Sequence, residues 1–273
     1  MDPLDRPAFL IGCGRSGTTI LGQTLAQHAS LHYLNEPREL WSKAYPVTDV
    51  WSGQAATRRG RVVLDAADAS RWRTWWLGRL FRRTLRDAGC PRLLEKLPIN
   101  AFRVPFLDTL FPDARFIHLV RNGIEVARSI ERECERGPWY GENDYKWTQL
   151  TALASADASH GALLELCTGP YERGLLEWRL SVDAVLETAA HLPSDRYLLV
   201  RYEDLLNAPA HTIARIETFL GLPADPAVTA FAEERIARRS AEAETLPTTT
   251  LTDDIAGPML ERLGYVRPLP PAP

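Results

Sequence analysis

The hydrophobic positions of the chain form short apolar runs separated by longer amphipathic stretches. The apolar runs predict β-strands at residues 9–11, 31–34, 93–97, 115–120 and 197–202. Apolar positions at helical spacing predict α-helices at residues 20–28, 72–85, 100–110, 124–136, 172–191, 203–220, 226–239 and 255–263. Strands that alternate with helices, with no hairpin signal between them, predict a three-layer α/β fold in which helices flank a central parallel sheet.

The whole chain, residues 1–273, is predicted to form a single domain, because it contains no internal repeat and no interdomain linker. Residues 137–145 combine aromatic residues with Gly and Pro, which predicts an irregular loop. A Thr-rich loop is expected at residues 245–252, and the Pro-rich tail after residue 267 is expected to fray. Two regions are predicted to add helices and loops to the sheet, namely residues 137–195 and residues 222–265.

A glycine-rich segment, Gly12-Cys-Gly-Arg-Ser-Gly-Thr-Thr19, links the first predicted strand to the first helix. Its glycines allow positive φ and a close approach of the backbone to a ligand. The amides of residues 16–19 open the helix, so they point at one place together with the helix dipole, which favours an oxyanion. Thr18 stands where a Walker A loop has its Lys, and Arg15 is the cation of this segment. The segment is P-loop-like and predicts a phosphate site.

Composition and charge narrow the classes of function. The 45% hydrophobic and 25% charged content is that of a globular protein, and a net charge of −3 argues against general nucleic-acid binding. The four cysteines are widely spaced and suit neither a zinc site nor a disulfide framework. Without a signal-peptide pattern or an apolar run of about 18 residues, a cytoplasmic protein with no membrane partner is expected. Arg carries almost all of the positive charge, since Lys occurs only at Lys43, Lys96 and Lys146.

Several polar residues lie at the ends of predicted strands. Glu36 follows the strand at 31–34, and in a parallel sheet the carboxyl ends of the strands face the crevice that contains the phosphate loop. Glu36 is therefore expected near that loop, with a solvated loop carboxylate as the alternative. Lys96 lies at the end of its strand, and Arg121 follows the strand at 115–120. His118 lies inside that last strand and is predicted to be a core histidine.

Three segments follow one another in a recognisable order. They are the loop at 12–19, Phe116-Ile-His-Leu-Val-Arg-Asn-Gly-Ile-Glu-Val-Ala-Arg-Ser129, and Val200-Arg-Tyr-Glu-Asp-Leu205. In this order they resemble the sulfotransferases that use 3′-phosphoadenylyl sulfate (PAPS), and the resemblance covers most of residues 9–220. The ending Leu263-Gly-Tyr265 is similar to that of bacterial members. The sequence thus resembles the bacterial, cytosolic part of this family.

The resemblance implies two anion sites, for PAPS as donor and for 3′-phosphoadenosine 5′-phosphate (PAP) as product. Arg121 and Ser129 are similar to the pair that binds the 3′-phosphate, and Arg supplies forked donors for it. Tyr202 matches a position that contacts the nucleotide, with a buried core tyrosine as the alternative. No metal is required in this scheme, because Lys and Arg neutralise the charge. The 5′ end would be held by the phosphate loop, through Gly14, Arg15, Ser16, Gly17, Thr18 and Thr19.

The implied reaction is an in-line transfer of the sulfuryl group, in which positioning and charge stabilisation dominate. Glu36 matches the catalytic Glu of the tyrosylprotein branch of the family and would be the general base. Lys96 resembles the Lys that stabilises the transition state, and Arg15 would assist it. Many cytosolic members use His as the base, but His32 and His118 are weaker candidates here than Glu36.

A small-molecule acceptor, such as a natural product or a carbohydrate, is expected to bind in the region of residues 137–195. Aromatic walls suit such a ligand, although each aromatic side chain could instead fill the core. The candidates are Trp41, Trp51, Trp139, Tyr140 and Trp147. The Gly-x-x-Gly-x-x-Lys ending of many cytosolic members is absent, so other groups must close the donor site. The candidates are Arg238, Arg239 and the hydroxyls of residues 248–250, with Arg132 near the place of a further family Arg.

Two other classes of function stay open. A P-loop-type small-molecule kinase would need Lys at position 18 and Mg²⁺, and this Lys is missing. A non-catalytic protein that binds PAP or another nucleotide would not need both Glu36 and Lys96. The acceptor, the oligomeric state, with a homodimer as one option, and the kinetic mechanism are not determined by the sequence.

Overall fold

Five parallel strands form one central sheet in the computed structural model, which describes residues 4–240 and 250–265. The strands are β1 (Ala8–Ile11), β2 (Leu31–Asn35), β3 (Arg92–Lys96), β4 (Arg115–Val120) and β5 (Tyr197–Arg201). Their order in the sheet is β2-β3-β1-β4-β5, with β1 in the centre between β3 and β4. The predicted α/β fold with a central parallel sheet is confirmed.

The two faces of the sheet are buried in separate cores. Phe9 and Ile11 of β1 point into one core, whereas Ala8 and Leu10 point into the other, as the alternation of side chains along a strand requires. The apolar residues of β1 are fully buried, which explains why this strand is hydrophobic on both faces. Helices on both faces complete the three layers.

Twelve α-helices lie in the described residues. They are α1 (Thr18–Leu25), α2 (Arg38–Ala44), α3 (Arg71–Ala88), α4 (Val104–Leu110), α5 (Gly123–Arg136), α6 (Tyr145–Ser155), α7 (Ala158–Gly161), α8 (Pro170–Ala189), α9 (Tyr202–Asn207), α10 (Pro209–Leu220), α11 (Pro226–Ser240) and α12 (Thr250–Arg262). Short 3-10 turns occur at Pro46–Thr48, Ala66–Asp68, Pro98–Arg103, Glu142–Asp144 and Ala162–Leu166. Within this part of the chain, no helix is long and apolar enough to cross a bilayer.

Proline accounts for two differences from the predicted helices. The helix expected at 203–220 is divided into α9 and α10, because Ala208 before Pro209 leaves helical geometry (φ −143°, ψ 64°). The helix expected at 100–110 begins as the 3-10 turn Pro98–Arg103, and α-helical geometry starts only at Val104. Proline lacks the amide hydrogen that would continue a preceding helix. Pro209 therefore begins α10, and Pro98 begins the 3-10 turn.

Other differences lie outside the sheet. The helices α2, α6 and α7 were not predicted, and the apolar residues of α6 are not confined to one side. The helix α12 begins at Thr250 rather than at residue 255. Residues 245–249 of the predicted Thr-rich loop and the predicted tail after residue 267 lie outside the described residues.

The carboxyl ends of β1 to β4 lie at one edge of the sheet. The phosphate loop leaves β1 there, and the register pairs Asn35 of β2 with Lys96 of β3. The amide of Glu36 continues this ladder by donating to the Lys96 carbonyl at 2.7 Å. The parallel topology therefore brings Glu36, Lys96 and the loop together at one place.

Candidate active site

A cavity of about 930 Å³ opens at this edge of the sheet. Except for Ser16, every residue predicted from the sequence for catalysis or for nucleotide binding lines it. These residues are Gly14, Arg15, Gly17, Thr18, Thr19, Glu36, Lys96, Arg121, Ser129 and Tyr202. The cavity is thus formed largely by the loop between β1 and α1, the ends of β2 to β4, and one side of α5.

The phosphate loop has the features of an anion site. Gly17 has a φ of +92°, and a Cβ at this position would lie 2.5 Å from the ring of Tyr202, so glycine is required. The hydroxyl of Ser16 is buried and has no hydrogen-bond partner among the described residues. The amides of Thr18 and Thr19 open α1, where no preceding turn can accept from them. These donors fit a bound phosphate or sulfate group.

Glu36 and Lys96 form an ion pair in the wall of the cavity. The Lys96 Nζ donates to Glu36 Oε1 at 2.8 Å and to Thr19 Oγ1 at 3.0 Å. Lys96 is 1% exposed, whereas about a third of the Glu36 side chain faces solvent. The second oxygen of Glu36 accepts from Arg38 at 2.6 Å. Thr19 connects this pair to the first turn of α1, so the carboxylate and the ammonium lie beside the phosphate loop.

The charges around Glu36 control its protonation. Burial by itself raises the pKa of Glu36, but the hydrogen bonds and positive charges of Lys96 and Arg38 outweigh this effect and hold the pKa below its ordinary value. Glu36 is therefore a carboxylate at neutral pH and can accept a proton.

Arg15 lies apart from this pair. Its Nε donates to Ser129 Oγ at 3.0 Å, and its terminal nitrogen lies 3.3 Å from Glu133 on α5. The structure therefore brings Arg15, a predicted catalytic residue, together with Ser129, a predicted nucleotide-binding residue. The backbone of Arg15 is in the left-handed region, with a φ of 72°.

Arg121 lies two residues before α5 and, like Ser129, lines the cavity. Its guanidinium donates to Glu125 and lies 4.8 Å from the ring centre of Tyr202. Its carbonyl accepts from the indole of Trp178 at 3.0 Å, which fixes the turn between β4 and α5. The joint binding of one phosphate by Arg121 and Ser129 stays a prediction.

Two of the five aromatic candidates for the acceptor site line the cavity, namely Trp51 and Trp139. The prediction for Trp41 is wrong, because this side chain is 1% exposed and donates to the buried Glu95 at 2.7 Å. Tyr140 is buried, and Trp147 packs edge-on against it, so neither ring lines the cavity.

The histidines that were weaker candidates for the base do not line the cavity. His118 is fully buried, its Nδ1 lies 2.9 Å from the Tyr197 hydroxyl, and burial lowers its pKa to about 3, which confirms a core histidine. Partial burial also lowers the pKa of His32, which lies on β2. Arg132 does line the cavity. The side chains of Arg238, Arg239 and residues 248–250 lie outside the described part of the structure.

A second buried ion pair in the cavity wall was not predicted. Lys146 of α6 donates to Glu177 of α8 at 2.5 Å, and both side chains are nearly fully buried. Two features of the sequence could have drawn attention to Lys146. Lys is rare in this chain, and Lys146 directly follows the aromatic loop at 137–145.

These features define an α/β protein with an anion-binding loop beside a paired carboxylate and ammonium. A family model described as "Sulfotransferase family" matches residues 7–226. This match includes most of the chain, and the chain therefore belongs to the sulfotransferase family.

Individual relatives are more distant. The nodulation protein NoeE of Sinorhizobium fredii is 25% identical over an alignment that covers 98% of this chain and 68% of NoeE. Carbohydrate sulfotransferase 2 of Mus musculus is 26% identical over 80% of this chain and 53% of the mouse protein, so the chain matches only about half of its length. Among solved structures, the sulfotransferase domain of the Synechococcus PCC 7002 olefin synthase has a TM-score of 0.61 at 22% identity. The comparison covers 98% of each chain and shows a shared fold.

Proposed function

We propose that this protein transfers the sulfuryl group of PAPS to a hydroxyl of a small-molecule acceptor, either a natural product or a carbohydrate, with Glu36 as general base. The contact of Lys96 with both Glu36 and Thr19 carries this proposal. It joins a carboxylate that can take a proton, a buried cation and the phosphate loop within a few ångströms. Positioning of the reactants and stabilisation of developing charge, which these three elements can supply together, accelerate transfer between two oxygens.

The residues of the cavity fit the donor. The buried Ser16 hydroxyl and the amides that begin α1 are hydrogen-bond donors. They suit the 5′-phosphosulfate end of the donor, which is anionic. Arg121 and Ser129 line the same cavity and provide donors for the 3′-phosphate. When bound, PAPS would supply the activated sulfuryl group and PAP as the leaving group.

The protein groups have complementary roles in this proposal. Glu36 takes the proton of the acceptor hydroxyl as the new oxygen–sulfur bond forms and the bond from sulfur to PAP breaks. The proton neutralises Glu36, so the Lys96 ammonium loses its internal partner. It can then donate to the oxygen on which negative charge develops. Arg15, which lies in the phosphate loop, assists Lys96 in stabilising this charge. We propose that no metal is needed for these steps.

The relatives support the choice of acceptor. One of them is named as a carbohydrate sulfotransferase, and the wall of the cavity contains two tryptophans, Trp51 and Trp139. An aromatic wall with a few polar groups is typical of sites for small molecules. A cytoplasmic location and a homodimer stay predictions.

Calorimetric titration with PAP tests the donor assignment. Arg121→Ala is expected to weaken PAP binding by about 10-fold or more, because a charge-assisted hydrogen bond is lost, and Ser129→Ala by less. Arg128→Ala, next to Ser129 on α5, is the matched control, since Arg128 does not line the cavity. EDTA is expected to leave PAP binding unchanged.

The same titration, together with an assay of sulfuryl transfer, separates the other two classes of function. Tighter binding of ATP with Mg²⁺ than of PAP would contradict the proposal and favour a kinase. Tight PAP binding, together with no sulfuryl transfer from PAPS to any of a broad set of phenols and sugars, would favour a non-catalytic nucleotide-binding protein.

A further inference from the structure

Trp139 connects the phosphate loop to the wall where the acceptor is proposed to bind. A Cβ added to Gly14 would lie 2.7 Å from the Trp139 ring, so the absence of a side chain at Gly14 lets the indole pack on the loop. The ring is half-buried and lines the cavity. Its position is thus defined on one side by the loop that is proposed to bind the donor.

A buried ion pair holds the indole in this position. The Trp139 Nε1 donates to Glu177 Oε2 at 2.9 Å, while Glu177 Oε1 accepts from Lys146. The Lys146 Nζ also lies 4.7 Å from the centre of the Trp139 ring and 5.4 Å from that of Tyr140. Burial of two opposite charges is costly unless they are fully paired, and hydrophobic replacements are often as stable. A contribution to the stability of the fold therefore does not by itself explain why Lys146 and Glu177 are buried here.

The loop that contains Trp139 is hydrogen-bonded through its backbone to the loop that contains Trp51. The amide of Glu142 donates to the Trp51 carbonyl at 2.9 Å. Gly141 has a φ of +81°, and a Cβ there would lie 2.7 Å from the Val50 carbonyl oxygen. Because the two loops are in direct backbone contact, both tryptophans belong to one rigid rim of the cavity.

We infer that Trp139 stacks on the apolar face of a ring of the acceptor, and that Glu177 and Lys146 are positioning residues that fix the angle of the indole. This inference rests on the proposed function. An indole face suits the apolar face of a sugar or an aromatic ring. Because Glu177 neutralises Lys146, the pair adds no net charge to this wall, which favours a ring over an anionic group. The ligand class is a hydroxylated ring with an apolar face, and its source is either a glycoside or a phenol.

Two double variants separate the orientation of the indole from the charge of the pair. Lys146→Met with Glu177→Gln removes both charges but keeps a side-chain oxygen that can accept from Trp139. Lys146→Met with Glu177→Leu also removes both charges and leaves the indole without an acceptor. The two proteins differ only at residue 177, where one has a side-chain amide and the other an aliphatic side chain, so each is the control for the other. Trp139→Ala and Trp139→Phe complete the set. Because Trp139→Phe keeps the Glu177–Lys146 pair, it still tests the indole if the double variants do not fold.

Saturation-transfer NMR measures the binding of naphthol, methyl glucoside and hexanol to each protein with and without PAP. For the wild type, one ring probe is expected to bind more tightly than hexanol, and the two ring probes distinguish a phenol from a glycoside. Trp139→Ala and the double variant with Glu177→Leu are expected to lose about tenfold in affinity for that probe, as stacking energies predict. The double variant with Glu177→Gln is expected to stay within about threefold of the wild type.

PAP affinity of the two double variants, measured by calorimetry, is expected to change by less than about twofold, because the side-chain hydrogen bonds of Lys146 and Glu177 join them to each other and to Trp139 and not to the proposed donor-binding residues. Ring binding that is equal in all variants would overturn the inference, as would a wild type that binds neither ring probe. Parallel losses of PAP and ring affinity would show that Trp139 only shapes the phosphate loop. Absence of PAP binding in the wild type would refute the proposed donor separately, since the ring probes are also measured without PAP.

Discussion

Arg15 and Glu36 share an unusual backbone conformation. Both have positive φ, 72° and 50°, although neither is a glycine. Such conformations cost about 1–3 kcal/mol each and persist where the surrounding structure enforces them. For Glu36, the hydrogen bond from its amide to the Lys96 carbonyl and the side-chain contacts with Lys96 and Arg38 supply this enforcement. The strain at both residues is consistent with their proposed roles in the reaction.

Replacement of Glu36 tests the general base at the scale of one residue. Glu36→Gln keeps the shape of the side chain but cannot accept the acceptor proton. We expect sulfuryl transfer from PAPS to slow by about 10²–10⁴-fold, while PAP affinity changes little. The measurement is the transfer rate at saturating PAPS with the best acceptor of the wild type.

Glu39→Gln provides the matched control, because Glu39 lies on α2 close to Glu36 but its side chain is 88% exposed. The control is expected to keep the wild-type rate. A Glu36→Gln protein with more than about a tenth of the wild-type rate would assign the proton transfer to another group or to solvent.

At the scale of the element, β3 buries two charged residues side by side. Lys96 faces the cavity, whereas Glu95, on the other face of the strand, accepts from Trp41 and from Asn100 in the core. Burial raises the pKa of Glu95 to about 7, and the hydrogen bonds from Trp41 and Asn100 limit the rise. The folded protein therefore holds a proton on Glu95 at a pH where the unfolded chain has lost it.

Linkage sets the sign of the resulting pH dependence. The stability that Glu95 contributes is fully present below its ordinary pKa of 4.5 and is lost as the pH rises to about 7. Over this window the wild type is expected to lose about 3 kcal/mol relative to Glu95→Gln, which cannot ionise. Urea unfolding of both proteins at pH 5 and pH 8 measures the difference, and groups such as His118 contribute equally to both. A constant difference between the two proteins would show that Glu95 is already ionised at pH 5.

The elements differ in how far the sequence predicts them. All five strands were predicted to within a residue or two, because short apolar runs between polar turns are a strong local signal. The rule that parallel strands end at one edge correctly brought Glu36 to the phosphate loop. The strand order and the contact of Arg15 with Ser129 depend on tertiary packing. The Lys146–Glu177 pair joins residues 31 positions apart, on helices whose packing no local pattern specifies.

At the scale of the whole molecule, the C-terminal segment contacts the side of the cavity where the donor is proposed to bind. The Tyr265 hydroxyl donates to Glu203 Oε2 at 2.8 Å, and Glu203 Oε1 accepts from the amide of Asn122 at 3.0 Å. Asn122 follows Arg121 and caps α5 through its side chain. Tyr265 is thus linked through one carboxylate to the turn that positions Arg121, although it is more than 140 residues away in the sequence.

Tyr265→Phe is expected to weaken PAP binding through this link. The change removes one hydroxyl, so Glu203 loses a donor and holds the turn at Asn122 less firmly. Unfolding should cost about 1–2 kcal/mol less than in the wild type, and PAP affinity should fall by about threefold. The measurements are urea unfolding and calorimetric titration with PAP.

Tyr145→Phe separates this effect from a general loss of stability. The Tyr145 hydroxyl also makes one hydrogen bond, to the Gly60 carbonyl at 2.9 Å, but Tyr145 does not line the cavity. Both variants should lose similar stability, because each loses one hydroxyl donor, whereas only Tyr265→Phe should bind PAP more weakly. Equal PAP affinity in the two variants would mean that the C-terminal segment stabilises the fold without acting on the donor site. A selective loss would mean that closure of the donor side depends on the last described turn of the chain.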